Sequence, residues 1–90
     1  MQTQALEQLR LRLIETQLWP LRYMFKFIVP NRDGRVERVV ACLPPNGNTT
    51  YKTSRDLHYV AVSHIAIMPT ADSIIDVIAQ ATTVEGVIAL

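Results

Sequence analysis

The feature that most constrains the fold of this chain is the stretch 21–29, which reads LRYMFKFIV. Phe25 and Phe27 alternate here with Lys26, and Arg22 has the same parity as that lysine. Alternation with a period of two is typical of a strand that buries one face. We therefore predict a central strand with both phenylalanines in the core and the two cations on the opposite face.

Length and composition indicate a single small domain. Ninety residues can bury one core without disulfides or metals, and 49% hydrophobic with 19% charged residues is a globular balance. The single cysteine, Cys42, cannot form an internal disulfide, and the first residues lack the basic-then-apolar layout of a signal peptide, so we expect a cytoplasmic protein. The longest apolar run, residues 39–43, is far shorter than the roughly 20 residues of a membrane-spanning helix, and we expect no membrane contact.

Charge is distributed unevenly along the chain. Residues 1–56 hold nine bases against five acids, a net charge of +4, whereas residues 57–90 hold three acids and no base, a net charge of −3. Such polarity can steer an anionic partner towards the basic half. Solvated side chains that happen to segregate explain the same pattern without a partner.

The first third of the chain predicts a helix that leads into the central strand. Apolar residues recur at helical spacing from residue 4 to about residue 17, and Pro20 ends the pattern. The apolar positions are Leu6, Leu9, Leu13 and Ile14. We assign residues 1–18 to an N-terminal amphipathic helix and residues 19–90 to the domain proper.

A turn and a second helix are predicted after the central strand. Residues 30–34 read PNRDG, a run of turn formers. Apolar residues then follow at i, i+3, i+4 and i+7, the spacing of one buried helical face, and the run PPNG ends the helix. The buried positions are Val36, Val39, Val40 and Leu43, and the positions expected in solvent are Arg35, Glu37 and Arg38.

Two strands of different character are predicted next. Residues 49–55 are polar, which suits an edge strand protected by Lys52. Residues 58–68 are apolar and predict a central strand, but Val60 and Val62 have the opposite parity to Ile65 and Ile67. Because a slip of one residue reverses the faces, either both faces of this strand are partly covered or a β-bulge returns the isoleucines to the core. We predict the bulge, near Ser63–His64.

The last quarter of the chain predicts a helix and a short strand. Thr70 has the side chain of an N-cap, and Asp72 in the first turn suits the helix dipole of a helix that runs to about residue 82. Glu85-Gly86 then predicts a turn into a strand at residues 87–90, which we expect to hold Leu90 in the sheet.

After the N-terminal helix, the predicted order is βαββαβ. Such a chain folds as an α+β, ferredoxin-like domain, with a four-stranded antiparallel sheet, two helices on one face and the first and third strands in the centre.

Three stretches of the sequence also resemble a known family. They are Trp19-Pro20 followed by YMFKFIV at residues 23–29, YVAVS at residues 59–63, and EGVIAL at residues 85–90. Together they are similar to the YbeD-like family of small uncharacterised bacterial proteins, over about residues 17–90. The resemblance implies a ferredoxin-like domain similar to the ACT-type regulatory domains that bind small metabolites, and it brings no catalytic residues.

The residues that most often carry chemistry are poorly arranged for it. His58 and His64 are about 20 Å apart if they lie on one strand at about 3.3 Å per residue, which is too far for a shared metal. Cys42 lies near the C-terminal end of a predicted helix, where the dipole disfavours a thiolate. The sequence has no Ser-His-acid order and no glycine-rich phosphate loop. We expect no catalytic residue, no metal and no cofactor.

A candidate ligand site lies in the loop after the first strand. In ACT-type domains a glycine between the first strand and the first helix lets a ligand, often an amino acid, approach the backbone, and Gly34 resembles that glycine. The candidate ligand-binding residues are therefore Asn31, Asp33 and Gly34. An ordinary Asp-Gly turn explains the same residues.

RNA binding is an alternative use of the same fold, since exposed aromatics on the central strands can stack bases. With Phe25 and Phe27 in the core there is no such platform, and the third strand lacks the basic-Gly-aromatic signature, so the sequence disfavours nucleic acid. Exposure of the Phe25 and Phe27 rings on the open face would favour RNA binding again.

Protein interaction is the function that the sequence favours. With both helices on one side of the sheet, the predicted interaction face is Arg22, Met24, Lys26, Ile28, Val87 and Ala89. An apolar patch rimmed by cations suits a protein partner or a homodimer. We therefore predict a non-enzymatic regulatory or protein-interaction module, with ACT-like sensing of a small metabolite as the alternative.

Overall fold

The computed structural model describes residues 3–16 and 18–90, and over these residues the chain is an α+β domain. Its elements are α1 (Thr3–Thr16), β1 (Leu21–Pro30), α2 (Arg35–Ala41), β2 (Asn48–Thr53), β3 (Tyr59–Met68), α3 (Ala71–Ala81) and β4 (Ile88–Ala89). Their order is the predicted one. Met1, Gln2 and Gln17, which the prediction included in the first helix, lie outside the described residues.

The four strands form one antiparallel sheet in the order β2-β3-β1-β4. The two apolar strands β1 and β3 occupy the centre, as predicted, because each can bury one face under helices while both edges are hydrogen-bonded. The polar strand β2 lies at one edge, also as predicted, and the short β4 at the other.

Strand β3 pairs without interruption on both sides. Its partners run from Leu21↔Met68 to Pro30↔Tyr59 on β1, and the pairing with β2 is equally continuous. The predicted bulge near Ser63–His64 is therefore wrong. The inward positions of β3 are the even-numbered residues throughout, and they include His64, which is buried. The prediction assumed that Ile65 and Ile67 belong in the core, whereas both lie on the opposite face.

Helices cover one side of the sheet, which we call the covered face. Phe25 and Phe27 are 2% and 1% exposed there, as predicted from the alternation in β1. They share a core with Val39 of α2 and with Ile74 of α3. Because successive side chains of a strand point to opposite faces, the other side of β1 remains outside this core.

The second helix begins with a residue that the sequence placed in solvent. Asp33 and Gly34 have left-handed backbone conformations, with φ of 58° and 69°, and they turn the chain directly into α2. Arg35 is consequently buried, so the prediction that it faces solvent was wrong, whereas Arg38 is exposed as expected. The helix ends at Ala41, two residues before the predicted last core position.

Helix α3 is capped as predicted and also holds α1. The hydroxyl of Thr70 accepts a hydrogen bond from the Ser73 N–H at 3.1 Å, and the Ser73 hydroxyl receives one from the Thr70 N–H at 3.3 Å. The Arg10 Nε–H donates to Asp72 Oδ1 at 2.6 Å, and this bond raises the pKa of Arg10. With Leu13 buried in the core, α1 packs against α3.

The C-terminal strand is shorter than predicted but is held at its end. The Leu90 N–H donates to the Lys26 carbonyl at 2.9 Å, so the backbone of Leu90 is fixed in the sheet, as expected. In β4, Ala89 lies opposite Phe27 and Ile88 lies opposite Ile28. This register decides which side chains of β4 reach each face.

Candidate functional site

The side of the sheet away from the helices, here called the open sheet face, is the first candidate site. The register gives it Asn48, Thr50 and Lys52 of β2, Tyr59, Ala61, Ser63, Ile65 and Ile67 of β3, Arg22, Met24, Lys26, Ile28 and Pro30 of β1, and Ile88 of β4. Three of its apolar residues are more than half exposed: Met24 at 56%, Ile67 at 52% and Ile88 at 55%. Among the described residues, no helix packs on this face.

Two predicted members of the interaction face lie elsewhere. Ala89 is opposite the buried Phe27, so it lies on the covered face, and Val87 has the same parity; both pack partly buried against the core. Placing Val87 and Ala89 on the open sheet face was therefore wrong. Ile88 takes that position instead, because it lies opposite Ile28 of the open sheet face.

The charges of the open sheet face all have one sign. Lys26 and Lys52 are the only lysines of the chain, and both lie on this face together with Arg22. The four strands contain no aspartate and no glutamate. A cavity of 330 Å³ opens beside Arg22 and Ile67. The face thus combines exposed apolar side chains with uncompensated positive charge.

The burial of both phenylalanines bears on the RNA alternative. Their rings stack with centroids 6.4 Å apart on the covered face, and Tyr23 has the same parity. Strand β1 therefore offers no aromatic ring to the open sheet face. On β3 the register places Tyr59 on this face, 47% exposed at the start of the strand, so β1 and β3 together offer one ring and not the row of aromatics that stacks successive bases.

A second candidate site, which we call the loop-end pocket, lies where β1 ends and β3 and β4 begin. It is a cavity of 580 Å³. Its walls come from the turn after β1, the turn before β3 and the turn before β4. They comprise Pro30, Asn31, Arg32 and Arg35, then Leu57, His58 and Tyr59, then Glu85, Gly86 and Ile88.

The predicted ligand residues contribute to this pocket unequally. Asn31 lines it and ties two of its walls together, because its Nδ2 donates to the Leu57 carbonyl at 2.9 Å and its N–H donates to the His58 carbonyl at 2.8 Å. Asp33 and Gly34 do not line the pocket; they form the left-handed turn that orients Arg35. Asp33 and Gly34 therefore position Arg35, and Asn31 is the predicted ligand residue that faces the cavity.

Arg35 is the functional candidate that sequence reasoning missed. Its side chain is only 10% exposed, and its Nε has no hydrogen-bond partner. Its Nη2 lies 3.5 Å from Glu85 Oε2 and 3.8 Å from Asp33 Oδ2, and these carboxylates are 87% and 70% exposed. In the sequence Arg35 is one of several charges on a short amphipathic helix, so no local signal distinguishes it.

The turn before β3 is held by Asp56. Its Oδ1 accepts a hydrogen bond from the Ser54 hydroxyl at 2.6 Å and another from the His58 N–H at 3.1 Å. The hydrogen bond from Ser54 is the main reason why the pKa of Asp56 lies below its ordinary value. This network fixes Leu57 in a left-handed conformation with φ of 65° and so shapes one wall of the loop-end pocket.

The remaining candidates for chemistry are separate from one another. His64 is buried with its Nδ1 2.7 Å from the Thr49 hydroxyl, whereas His58 is on the surface beside Asp56. The Cys42 thiol donates to the Arg38 carbonyl at 3.3 Å. Within residues 3–16 and 18–90, no group of three or more His, Cys, Asp or Glu side chains could hold a metal ion. No helix in the described part of the chain is long and apolar enough to cross a membrane.

Comparisons with known proteins do not assign the chain to a family. No family model matches it, and neither a curated protein nor a solved structure matches it. The YbeD-like family therefore stays a prediction from the three sequence stretches.

Proposed function

We propose that this chain is a non-enzymatic, cytoplasmic regulatory or protein-interaction module that binds an acidic partner protein on its open sheet face. The observation that carries the proposal is the composition of that face. Exposed apolar side chains such as Met24 and Ile67 lie among Arg22, Lys26 and Lys52, and the strands have no carboxylate to neutralise them.

The apolar part of the face supplies binding free energy. Complete burial of a Met or Ile side chain is worth about 1.5–3 kcal/mol, and Met24, Ile67 and Ile88 are each about half buried already. Each therefore has about 1 kcal/mol to gain when a partner covers it. The cations add specificity and faster association with a partner that presents acidic side chains around an apolar centre.

A second copy of the chain, the other partner expected from the sequence, suits the face less well. A symmetric face-to-face dimer would gather Arg22, Lys26 and Lys52 of both copies into one interface, with no strand carboxylate to pair with them. Like charges brought together at an interface cost several kcal/mol. Charge complementarity therefore favours an acidic partner over a homodimer.

The placement of both lysines permits a direct test. A carbodiimide joins lysine amines to carboxylates, so treatment of the tagged protein in an extract of its own cells should link Lys26 or Lys52 to Asp or Glu residues of one partner. Ile67→Glu should abolish these links, because it places a negative charge in the apolar part of the face. Leu11→Glu, on the exposed side of α1, should leave them unchanged.

Two other outcomes contradict the proposal. If the Ile67→Glu variant forms these links undiminished, the partner does not bind on the open sheet face. A stable dimer in light scattering that Ile67→Glu dissociates would identify a second copy as the occupant.

We also propose that the fold is ferredoxin-like and that the chain is a YbeD-like protein. Read from its other edge, the strand order is β4-β1-β3-β2, and the order of elements after α1 is βαββαβ. Both features support the ferredoxin-like arrangement. Spin-label distances that place α2 and α3 on opposite faces of the sheet would contradict it.

Small-metabolite sensing is a second candidate function, and the loop-end pocket favours it. The turn that contains Asn31, Asp33 and Gly34 forms one wall of a cavity whose volume is within the range of about 300–1,000 Å³ common for ligand sites. A ligand at 100 times its dissociation constant should stabilise the protein by about 2.7 kcal/mol. A thermal-shift screen of amino acids and other metabolites tests this, and Gly34→Val should abolish any shift by distorting the turn. An absence of shifts, or shifts unchanged by Gly34→Val, contradicts the candidate.

A further inference from the structure

The buried guanidinium of Arg35 is an unusual group at the end of the sheet. An arginine remains charged at all relevant pH values, and a buried charge is costly unless it is paired. Charge-assisted hydrogen bonds to carboxylates are normally about 2.7–2.9 Å long. The contacts of Arg35 are longer, at 3.5 Å and 3.8 Å, and they come from exposed side chains. The guanidinium is thus held in place with its charge poorly compensated.

The backbone of Gly86 packs closely beside Arg35 at the wall of the pocket. A Cβ atom at Gly86 would lie 3.5 Å from Arg35 Nη1 and 2.8 Å from Pro30 Cγ. Gly86 also has φ of 81°, a backbone conformation that residues with a side chain rarely adopt. Glycine at this position therefore lets the turn before β4 close against Pro30 and Arg35, where a side chain would collide with the proline ring.

The rest of the loop-end pocket divides into a cationic and an apolar part. Arg32 joins Arg35, whereas Leu57, Tyr59 and Ile88 present apolar surface, and all three are exposed. Glu85 in the lining and Asp33 beside it, 3.8 Å from Arg35 and 4.0 Å from Arg32, bring the net charge of the four groups to zero, but both carboxylates are largely exposed whereas the Arg35 guanidinium is buried. A planar guanidinium fork matches the geometry of a carboxylate.

From these observations we infer that the loop-end pocket binds a small monocarboxylate with an apolar body. The carboxylate lies on the guanidinium of Arg35, and the apolar body lies against Leu57, Tyr59 and Ile88. This inference rests on the metabolite-sensing candidate and specifies the class of its ligand. It does not depend on the partner proposed for the open sheet face, although Ile88 borders both sites.

Calorimetry with matched acid and amide probes tests the inference. Phenylacetate and isovalerate at millimolar concentration should bind to the full chain, and phenylacetamide and isovaleramide, which have the same shape without the charge, should bind at least about tenfold more weakly. A short apolar peptide with a free C-terminal carboxylate is the third probe, because the same chemistry can come from the end of a polypeptide. Tighter, Arg35-dependent binding of this peptide would support the site and identify that source.

Two variants locate the binding. Arg35→Met should weaken carboxylate binding by at least about tenfold, while Arg38→Met, on the exposed side of the same helix, should not change it. If Arg35→Met does not fold, the acid–amide comparison on the unmodified chain still decides the question. Equal binding of acid and amide, binding unaffected by Arg35→Met, or no binding of any carboxylate probe overturns the inference. Thermal shifts from neutral or cationic metabolites alone would overturn it while leaving metabolite sensing intact.

Discussion

The two faces of the sheet differ sharply although the same strands supply both. In β1, Phe25 and Phe27 are almost completely buried, whereas Met24, next to Phe25 in the chain, is 56% exposed. The pleat sends neighbouring side chains to opposite sides, so one strand serves a core and a surface at once. Substitutions at alternate residues of β1 and β3 should therefore separate stability, which depends on the covered face, from the recognition proposed for the open sheet face.

The largest expected effect is on the covered face. Phe27→Ala should lower the free energy of unfolding by about 3–5 kcal/mol, because it leaves a cavity under α2 and α3. Denaturant titration measures the change, which is a large share of the roughly 5–15 kcal/mol by which native domains are stable. Met24→Ala on the open sheet face is the matched control and should change stability by less than about 0.5 kcal/mol. Similar losses in both variants would contradict the division between the faces.

The next largest loss of stability is expected at Gly47, which lies just before β2 and in close contact with His64. A methyl group added at Gly47 would overlap the imidazole of His64 on the covered face and would lie 2.7 Å from the Ile65 carbonyl. Gly47→Ala should therefore cost about 1–3 kcal/mol, the usual range for overpacking. The exposed neighbour provides the control, since Asn46→Ala should be nearly neutral in the same thermal or denaturant titration. A Gly47→Ala variant as stable as the parent would show that the loop moves away from His64 freely.

The cap of α3 contributes less. Thr70→Ala removes the hydroxyl that accepts the Ser73 N–H and should cost about 1 kcal/mol. The control is Thr50→Ala, the same substitution at a threonine on the open sheet face. It is expected to change stability by less than about 0.5 kcal/mol. Equal unfolding midpoints for the two variants would mean that the hydrogen bonds between Thr70 and Ser73 do not stabilise α3.

The smallest effect concerns pH and the turn before β3. The hydrogen bond from Ser54 lowers the pKa of Asp56 in the folded chain below its ordinary value of 3.8. The stability contributed by the ionised carboxylate is therefore present above pH 3.8 and is lost as the pH falls through the folded pKa. Asp56→Asn should flatten this part of the acid unfolding profile slightly, and Ser54→Ala should do the same. A profile identical to that of the parent in both variants would contradict the role of this network.

Local patterns were sufficient to predict most of the fold. The period-two alternation around Phe25, the Thr70 cap and the turn formers at residues 30–34 each act over a few residues, so the sequence displays them directly. The same is true of the polar edge strand. The order of elements and the central position of β1 and β3 were predicted from these signals.

Features that depend on distant partners were not predictable. The inward position of His64 follows from continuous pairing with β1 and from the nearby Thr49 hydroxyl, neither of which is visible in residues 58–68 alone. The parity of β4 depends on its register against Phe27. Arg35 becomes a site residue only because the turns around Leu57 and Gly86 meet beside it.

The central claim, that the open sheet face serves recognition and not stability, is tested most directly by Met24→Glu. Capture of the acidic partner from cell extract should fall by at least about tenfold relative to the parent chain and to Leu11→Glu. The unfolding midpoint of Met24→Glu should stay unchanged, because Met24 lies outside the core. Undiminished capture, or a loss of capture that accompanies unfolding of the domain, would contradict the claim.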